Sequence, residues 1–242
     1  MDEQEFTHST DGEELRTTVV APDGDPRPGT ALLLHGAGVS SSRRLLPLAR
    51  AYAAAGLRAV AFDFSGHGAS TGRLAELSLE RRFLQARSVL DRFAGDGPLL
   101  LAGFSMSGQT VADLAADLGE RVHGVVLGAP AAYVHAAWKL PFGDPAFTAT
   151  LRTPDSWRAS PAYPSYAAFR GRSVLVVPAH DAVIPSGVTT RIEDALRQRS
   201  TYSRLTFPNS PHQLATWLAD HPADRDHLVG LSLAPADGRP QG

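Results

Sequence analysis

The chain has 242 residues, 43% of them hydrophobic and 20% charged, proportions that exclude wholesale disorder, collagen and coiled coil. Its 23 basic and 25 acidic residues leave a formal charge of −2 with no basic stripe, so nucleic acid is not an expected partner. Zero cysteines remove disulfides, thiolate metal sites and a cysteine nucleophile together.

The opening residues, Met1-Asp2-Glu3-Gln4-Glu5-Phe6, are acidic where a secretory leader carries positive charge. No uninterrupted apolar run approaches the ~18 residues of a membrane span. A cytoplasmic protein without a membrane span is the expectation. Apolar runs rich in Val, Leu and Ala then recur at Leu15–Val20, Ala31–Leu34, Ala59–Phe64, Leu99–Phe104, Val125–Leu127, Val174–Val177 and Leu205–Phe207. Bounded by Gly and Pro, such runs read as strands buried on both faces. Helical spacing fills most of the intervals. Leu45, Leu48, Ala49 and Tyr52 share one face; Phe83, Ala86, Arg87 and Leu90 share another, with the arginine stem along it. Val111, Leu114, Ala115 and Leu118 form a third, with Gly119 as a stop signal. The alternation predicts an α/β fold with a mostly parallel central sheet and helices on both faces. The first run follows the turn signal Asp11-Gly12 and reads as an antiparallel entry. Residues 1–242 read as one domain, and the Pro/Gly-rich tail 234–242 is expected to fray.

One interval breaks the rhythm. Ala131–Arg170 spans 40 residues between two strands, too long for an ordinary connection. It holds eight aromatic residues against ten in the other 202. Such a segment is a small extra core, a lining for an apolar ligand, or both.

The stretch from Leu99 to Leu118 carries the chemistry. An apolar strand runs into Gly103-Phe104-Ser105-Met106-Ser107-Gly108 and a helix follows at once, the setting of a nucleophile elbow. The turn needs small residues two before and two after its central serine. Gly103 supplies the first, and Ser107 stands where the usual pattern has glycine. A Gly/Ser-rich turn that merely links strand to helix is the plainer alternative. Upstream, the strand ending at Leu34 runs into His35-Gly36-Ala37-Gly38, whose free N–H groups could hold an oxyanion together with the Met106 N–H at a helix N-terminus. Gly36-x-Gly38-x-x-Ser41 with Asp63 downstream loosely imitates a dinucleotide fingerprint, but the third glycine is missing. A serine nucleophile needs a base, and the base an orienting acid. Asp181 follows the strand at Val174–Val177, and His212 follows the strand at Leu205–Phe207. The order Ser105, Asp181, His212 matches one hydrolase architecture. His180, His221 and His67 compete with His212, though His180 adjoins the acid and His221 lies at the far end of the helix that His212 opens.

Over nearly its whole length the chain resembles the α/β-hydrolase superfamily, and within it monoacylglycerol-lipase-type and related bacterial serine esterases. The motifs that carry the likeness are HGAG at His35–Gly38, FDFSGHGAS at Phe62–Ser70, GFSMSG around Ser105, HDAVIP around Asp181 and NSPH ending at His212. The resemblance implies an α/β-hydrolase fold with a small cap insertion at about 131–170. It implies Ser105 as nucleophile, His212 as base, Asp181 as its orienter, and the Ala37 and Met106 N–H groups as the oxyanion hole. Asp63 and His67 would be architectural. Phe104 departs from the histidine common before the serine, which bears on substrate positioning; Phe104, Trp138 and Trp157 are the candidate substrate-binding residues. The expected activity is hydrolysis of a small-molecule acyl compound, a carboxylic ester first, without metal or organic cofactor. The same residues could serve a thioesterase, peptidase or acyltransferase, and a non-catalytic ligand-binding relative would share the fold.

Overall fold

The computed structural model describes residues 1–235; residues 236–242 of the expected frayed tail lie outside the described residues. β1 (Asp2–Thr10) and β2 (Glu13–Ala21) form an antiparallel hairpin across Asp11-Gly12. Both turn residues have positive φ, the geometry a two-residue hairpin requires. β1 gave no apolar signal because it is an edge strand with most residues exposed; its one large apolar side chain, Phe6, packs on Phe93 at 5.3 Å between ring centroids.

The remaining strands match the apolar runs. They are β3 (Thr30–Leu34), β4 (Arg58–Phe62), β5 (Leu99–Phe104), β6 (Val122–Gly128), β7 (Arg172–His180) and β8 (Thr201–Pro211). β5 coincides with its run, β4 stops at Phe62, two residues short of the run that reached Phe64, and the others extend beyond theirs. The sheet order is β1-β2-β4-β3-β5-β6-β7-β8, with every pair from β4 to β8 parallel and β2 antiparallel to β4. All five residues of β3 and all six of β5 are buried, as expected of strands covered on both faces. β8 tolerates Pro208 and Pro211 because it is the far edge.

One face of the sheet is covered by α1 (Leu46–Ala54), α7 (Leu214–Asp220) and α8 (Pro222–Leu233), which bury Tyr52, Leu48, Leu214, Leu218 and Leu228 against Leu33, Leu100 and Val176. The other is covered by α2 (Leu79–Phe93), α3 (Ser107–Leu118) and α6 (Ser186–Leu196). No helix among the described residues is long and apolar enough to cross a membrane.

On α2 the buried face is Leu79, Arg82, Gln85, Ala86, Val89 and Leu90. The apolar spacing put Arg87 along this face. Arg87 instead pairs with Asp117 at 2.9 Å and with Asp91 on a partly exposed surface, and the enclosed arginine is Arg82.

The long interval divides in two. Its second half contains α5 (Ala162–Ala168), whose Ala162, Tyr163 and Tyr166 join the same core as α3 and α6, so it completes the helical layer. Its first half, with α4 (Pro145–Arg152), forms a separate apolar cluster. There Ala137 and Phe147 meet Leu79 and Met106, flanked by Tyr133, Val134, Trp138, Leu140, Phe142 and Leu151. Backbone bonds tie this half to the start of α2: Phe142 N–H to Leu77 O at 2.8 Å, Gly143 N–H to Ala75 O at 2.9 Å, and Glu80 N–H to Trp138 O at 3.0 Å.

Candidate active site

Ser105 stands between β5 and α3 with φ +52°, a left-handed conformation uncommon for a side chain other than glycine and typical of strained functional turns. The surrounding backbone holds it there. Its N–H donates to Gly128 O, and its carbonyl accepts from Gly108 N–H and Ala131 N–H, each at 2.9 Å. The turn is tight enough that a Cβ on Gly103 would lie 2.6 Å from Val111 Cγ2, and one on Gly108 2.6 Å from Pro130 Cβ. Absence of a side chain is thus needed at Gly103 and Gly108, whereas position 107 accepts serine. The Ser107 hydroxyl is not idle: fully buried, it donates to His35 O at 2.6 Å and accepts from Arg82 at 2.7 Å.

Three strand ends deliver the polar groups. β5 leads into Ser105, β7 into Asp181, and β8 into His212, all at the carboxyl edge of the parallel sheet, where such folds place their ligands. His212 Nε2 lies 3.0 Å from Ser105 Oγ, and His212 Nδ1 lies 3.1 Å from each carboxylate oxygen of Asp181. Asp181 Oδ1 also accepts the N–H groups of Val183 at 2.8 Å and Ile184 at 3.0 Å. Burial pushes the Asp181 carboxyl up, but the Ile184 N–H, His212 and the Val183 N–H outweigh it, and its pKa falls below the ordinary value. An ionised carboxylate can only accept, so it holds the proton on Nδ1 and leaves Nε2 as the acceptor for the serine hydroxyl. A hydroxyl held this way can pass its proton to the imidazole as it attacks an electrophile.

The loop after β3 lies against the serine: a Cβ on Gly36 would be 3.2 Å from Ser105 Cβ. Among the described residues, neither the Ala37 nor the Met106 N–H meets an acceptor. The three competing histidines make no bond to Ser105 among the described residues. His221 stacks on Trp217 with ring centroids 3.6 Å apart, His180 is exposed, and His67 is buried with Nδ1 3.1 Å from Ser65 O. Asp63 accepts the Ser42 N–H at 2.6 Å and the Ala69 N–H at 3.1 Å, which ties its loop together.

Of the candidate substrate-binding residues, Phe104 is 4% exposed and packs its ring where a Cβ on Gly128 would stand, in the core on the α1 face. Trp157 lies over Gly187 of α6. Trp138 packs on Phe83 at 6.0 Å and borders the Met106 cluster. Among the described residues no cluster of His, Asp or Glu is arranged to hold a metal ion.

Gln109, one turn into α3, anchors the inserted segment. Its Oε1 accepts from Tyr133 N–H and Ser160 Oγ, both at 3.0 Å, and its Nε2 donates to Asp113 Oδ1 at 2.9 Å. Among the described residues Asp113 Oδ2 is enclosed without a partner, and burial pushes this carboxyl up to about 7 despite the Gln109 bond. A raised carboxyl costs stability as pH climbs from its unfolded value of ~3.9 towards the folded one, because only the unfolded chain ionises freely. Asp113→Asn keeps the acceptor for Gln109. It is expected to stabilise the protein by up to about 4 kcal/mol at pH 8 and by little at pH 4, checked by thermal melts at the two pH values.

The family model described as serine aminopeptidase, S33, matches residues 25–214. A monoacylglycerol lipase from Mycolicibacterium smegmatis is 34% identical over 121 residues, which cover 48% of this chain and 42% of that one; the match spans less than half the length of that relative. Among solved structures, Est1E from Butyrivibrio proteoclasticus with ferulic acid bound superposes with TM-score 0.71 at 14% identity, covering 95% of this chain and 100% of that one. The monoacylglycerol lipase of Paleococcus ferrophilus superposes with TM-score 0.65 at 21% identity, covering 90% and 100%. With its strand order, its strained serine turn and a family match over most of its length, the chain belongs to the S33 serine aminopeptidase family of serine hydrolases, within the α/β-hydrolase superfamily.

Proposed function

We propose that the protein is a serine esterase that cleaves small-molecule carboxylic esters through Ser105, His212 and Asp181. The observation that carries this reading is the continuous chain of hydrogen bonds from Ser105 Oγ through both ring nitrogens of His212 to the Asp181 carboxylate. Ser105 Oγ attacks the carbonyl carbon as His212 Nε2 takes its proton, and Asp181 stabilises the imidazolium. The Ala37 and Met106 N–H groups receive the negative charge that develops on the carbonyl oxygen. His212 then gives its proton to the departing alkoxide, and the acyl-enzyme is released by a water that His212 deprotonates. Preference for an ester with an apolar acyl group is supported by Met106, whose side chain packs into the aromatic cluster of the inserted segment. In this reading residues 1–242 are one domain, and the first half of 131–170, bordered by Trp138, is the cap that walls the acyl group. The same reading takes the protein as cytoplasmic, which cell fractionation would test.

The test is a fluorophosphonate probe followed by a substrate panel. A single adduct at Ser105, located by peptide mass spectrometry, is the expected result. p-Nitrophenyl esters should be hydrolysed with graded tolerance of chain length, since apolar pockets discriminate by only ~1–3 kcal/mol per methylene. A panel in which only thioesters or aminoacyl amides react would move the activity to a thioesterase or peptidase. Absence of labelling and of turnover would make the protein a non-catalytic relative.

A further inference from the structure

Arg82 has no exposed surface, yet among the described residues no carboxylate pairs with it. Its guanidinium carbon lies 3.7 Å from the centroid of the Phe64 ring. Nη2 donates to His35 O and to Ser107 Oγ, both at 2.7 Å, while Nε and Nη1 have no partner among the described residues. Ser107 Oγ donates in turn to the same carbonyl at 2.6 Å. The protons balance, with Nη2 giving one to each oxygen, the hydroxyl giving its own to His35 O, and that carbonyl filling both lone pairs. Enclosing a guanidinium without a counter-ion is unfavourable by itself, so stability alone explains this arrangement poorly.

Its position suggests what it does. The bridge joins the end of β3, from which Gly36 and Ala37 continue, to the first residue of α3, directly after Met106. The two N–H groups assigned to the oxyanion therefore lie on either side of it. The His35 ring completes the link. Its Nε2 accepts the Phe64 N–H at 3.2 Å, which leaves Nδ1–H to donate to Gly36 O at 2.7 Å. That carbonyl belongs to the peptide whose N–H is Ala37's. Burial, with the nearby Arg82 charge, keeps the His35 ring neutral, as this bond pattern requires.

We infer that Arg82 and Ser107 are positioning residues that hold the loop after β3 and the start of α3 at the separation needed for the Ala37 and Met106 N–H groups to grip one oxyanion. The inference rests on the esterase reading and gives a reason for serine at position 107. Donors aimed at a transition-state charge act on kcat more than on KM, and small misplacements are costly.

Ser107→Ala is the first test, with Arg82→Met as the second. Ser107→Ala is expected to lower kcat about 10- to 100-fold with KM nearly unchanged. It should weaken a trifluoromethyl ketone, whose adduct with Ser105 carries the same oxyanion, by the same factor. If Arg82→Met folds, the double variant should be little slower than Arg82→Met alone, because both changes break one bridge; if it does not fold, Ser107→Ala decides. A Ser107→Ala protein that keeps kcat and ketone affinity within about twofold, or whose only defect is in folding or Tm, overturns the inference. Failure of the esterase reading would be seen separately, in the unsubstituted protein, as absence of fluorophosphonate labelling and of ester turnover.

Discussion

Ser105→Ala is expected to reduce kcat by about 10⁶-fold while leaving Tm and the circular dichroism spectrum close to those of the unsubstituted protein. Alanine removes the one oxygen that meets His212 Nε2 at 3.0 Å and nothing that packs the core. The backbone at φ +52° is as awkward for alanine as for serine, so strain in the turn is unchanged. The three backbone bonds around the residue, to Gly128, Gly108 and Ala131, do not involve the hydroxyl. The rate that survives would come from oxyanion donors and substrate binding. Ser107 cannot take over: it is fully buried and its hydroxyl is bound on both sides. Ester hydrolysis measured over hours, beside a melting curve, checks both halves of the expectation. Residual activity above about 1% of the parent rate would place the nucleophile elsewhere.

The parts of this site that could be read from the sequence share one property, that each follows a strand marked by an apolar run. The run is long and buried in β5 and β7 but only Leu205–Phe207 in the edge strand β8, where Phe207 and Ser210 alone are buried. Ser105, Asp181 and His212 stand just after β5, β7 and β8, and continuous apolar runs are the strongest signal of strands buried on both faces. Strand ends in a parallel sheet converge on one edge, so chain order alone brought three distant residues to one place. Two features escaped. β1 is polar and mostly exposed, and only its pairing with β2 makes it a strand. Arg82 lies on the apolar face of α2, four residues before Ala86 and seven before Val89. Its helical position was a usable signal, but an arginine in such a stripe reads as a stem lying over the surface, and that reading went to Arg87. Nothing local marks Arg82 as enclosed, because its acceptors, His35 O and Ser107 Oγ, come from two other elements. Phe104 drew attention because it replaces the histidine common before the serine in the family the chain resembles; alternation along β5 turns its ring into the core on the α1 face.

Asp181→Asn should cost about 10⁴-fold in kcat with little loss of structure. The carboxylate does two jobs with the same oxygens. Oδ1 accepts the N–H groups of Val183 and Ile184, and both oxygens face His212 Nδ1. An asparagine can keep the two loop bonds by placing its carbonyl oxygen there. Its amide group then points a donor at Nδ1, which favours the tautomer with the proton on Nε2. That nitrogen would donate towards Ser105 and could no longer receive the hydroxyl proton, so the geometry survives and the chemistry stops. The acid behaviour of the parent follows from the same contacts. Because the Asp181 pKa is depressed on folding, its contribution to stability is present above the unfolded value of ~3.9 and is lost as pH falls through the lower folded value. Asp181 therefore stays ionised across a neutral assay range, and any acidic limb in kcat/KM belongs to another group. In Asp181→Asn the rate should fall at every neutral pH by a similar factor, and Tm should depend less on pH below 4 than in the parent. A variant that recovers parent-like rates at raised pH would show that tautomer control is not what Asp181 provides. His212 would then be held for catalysis by its packing after β8 alone.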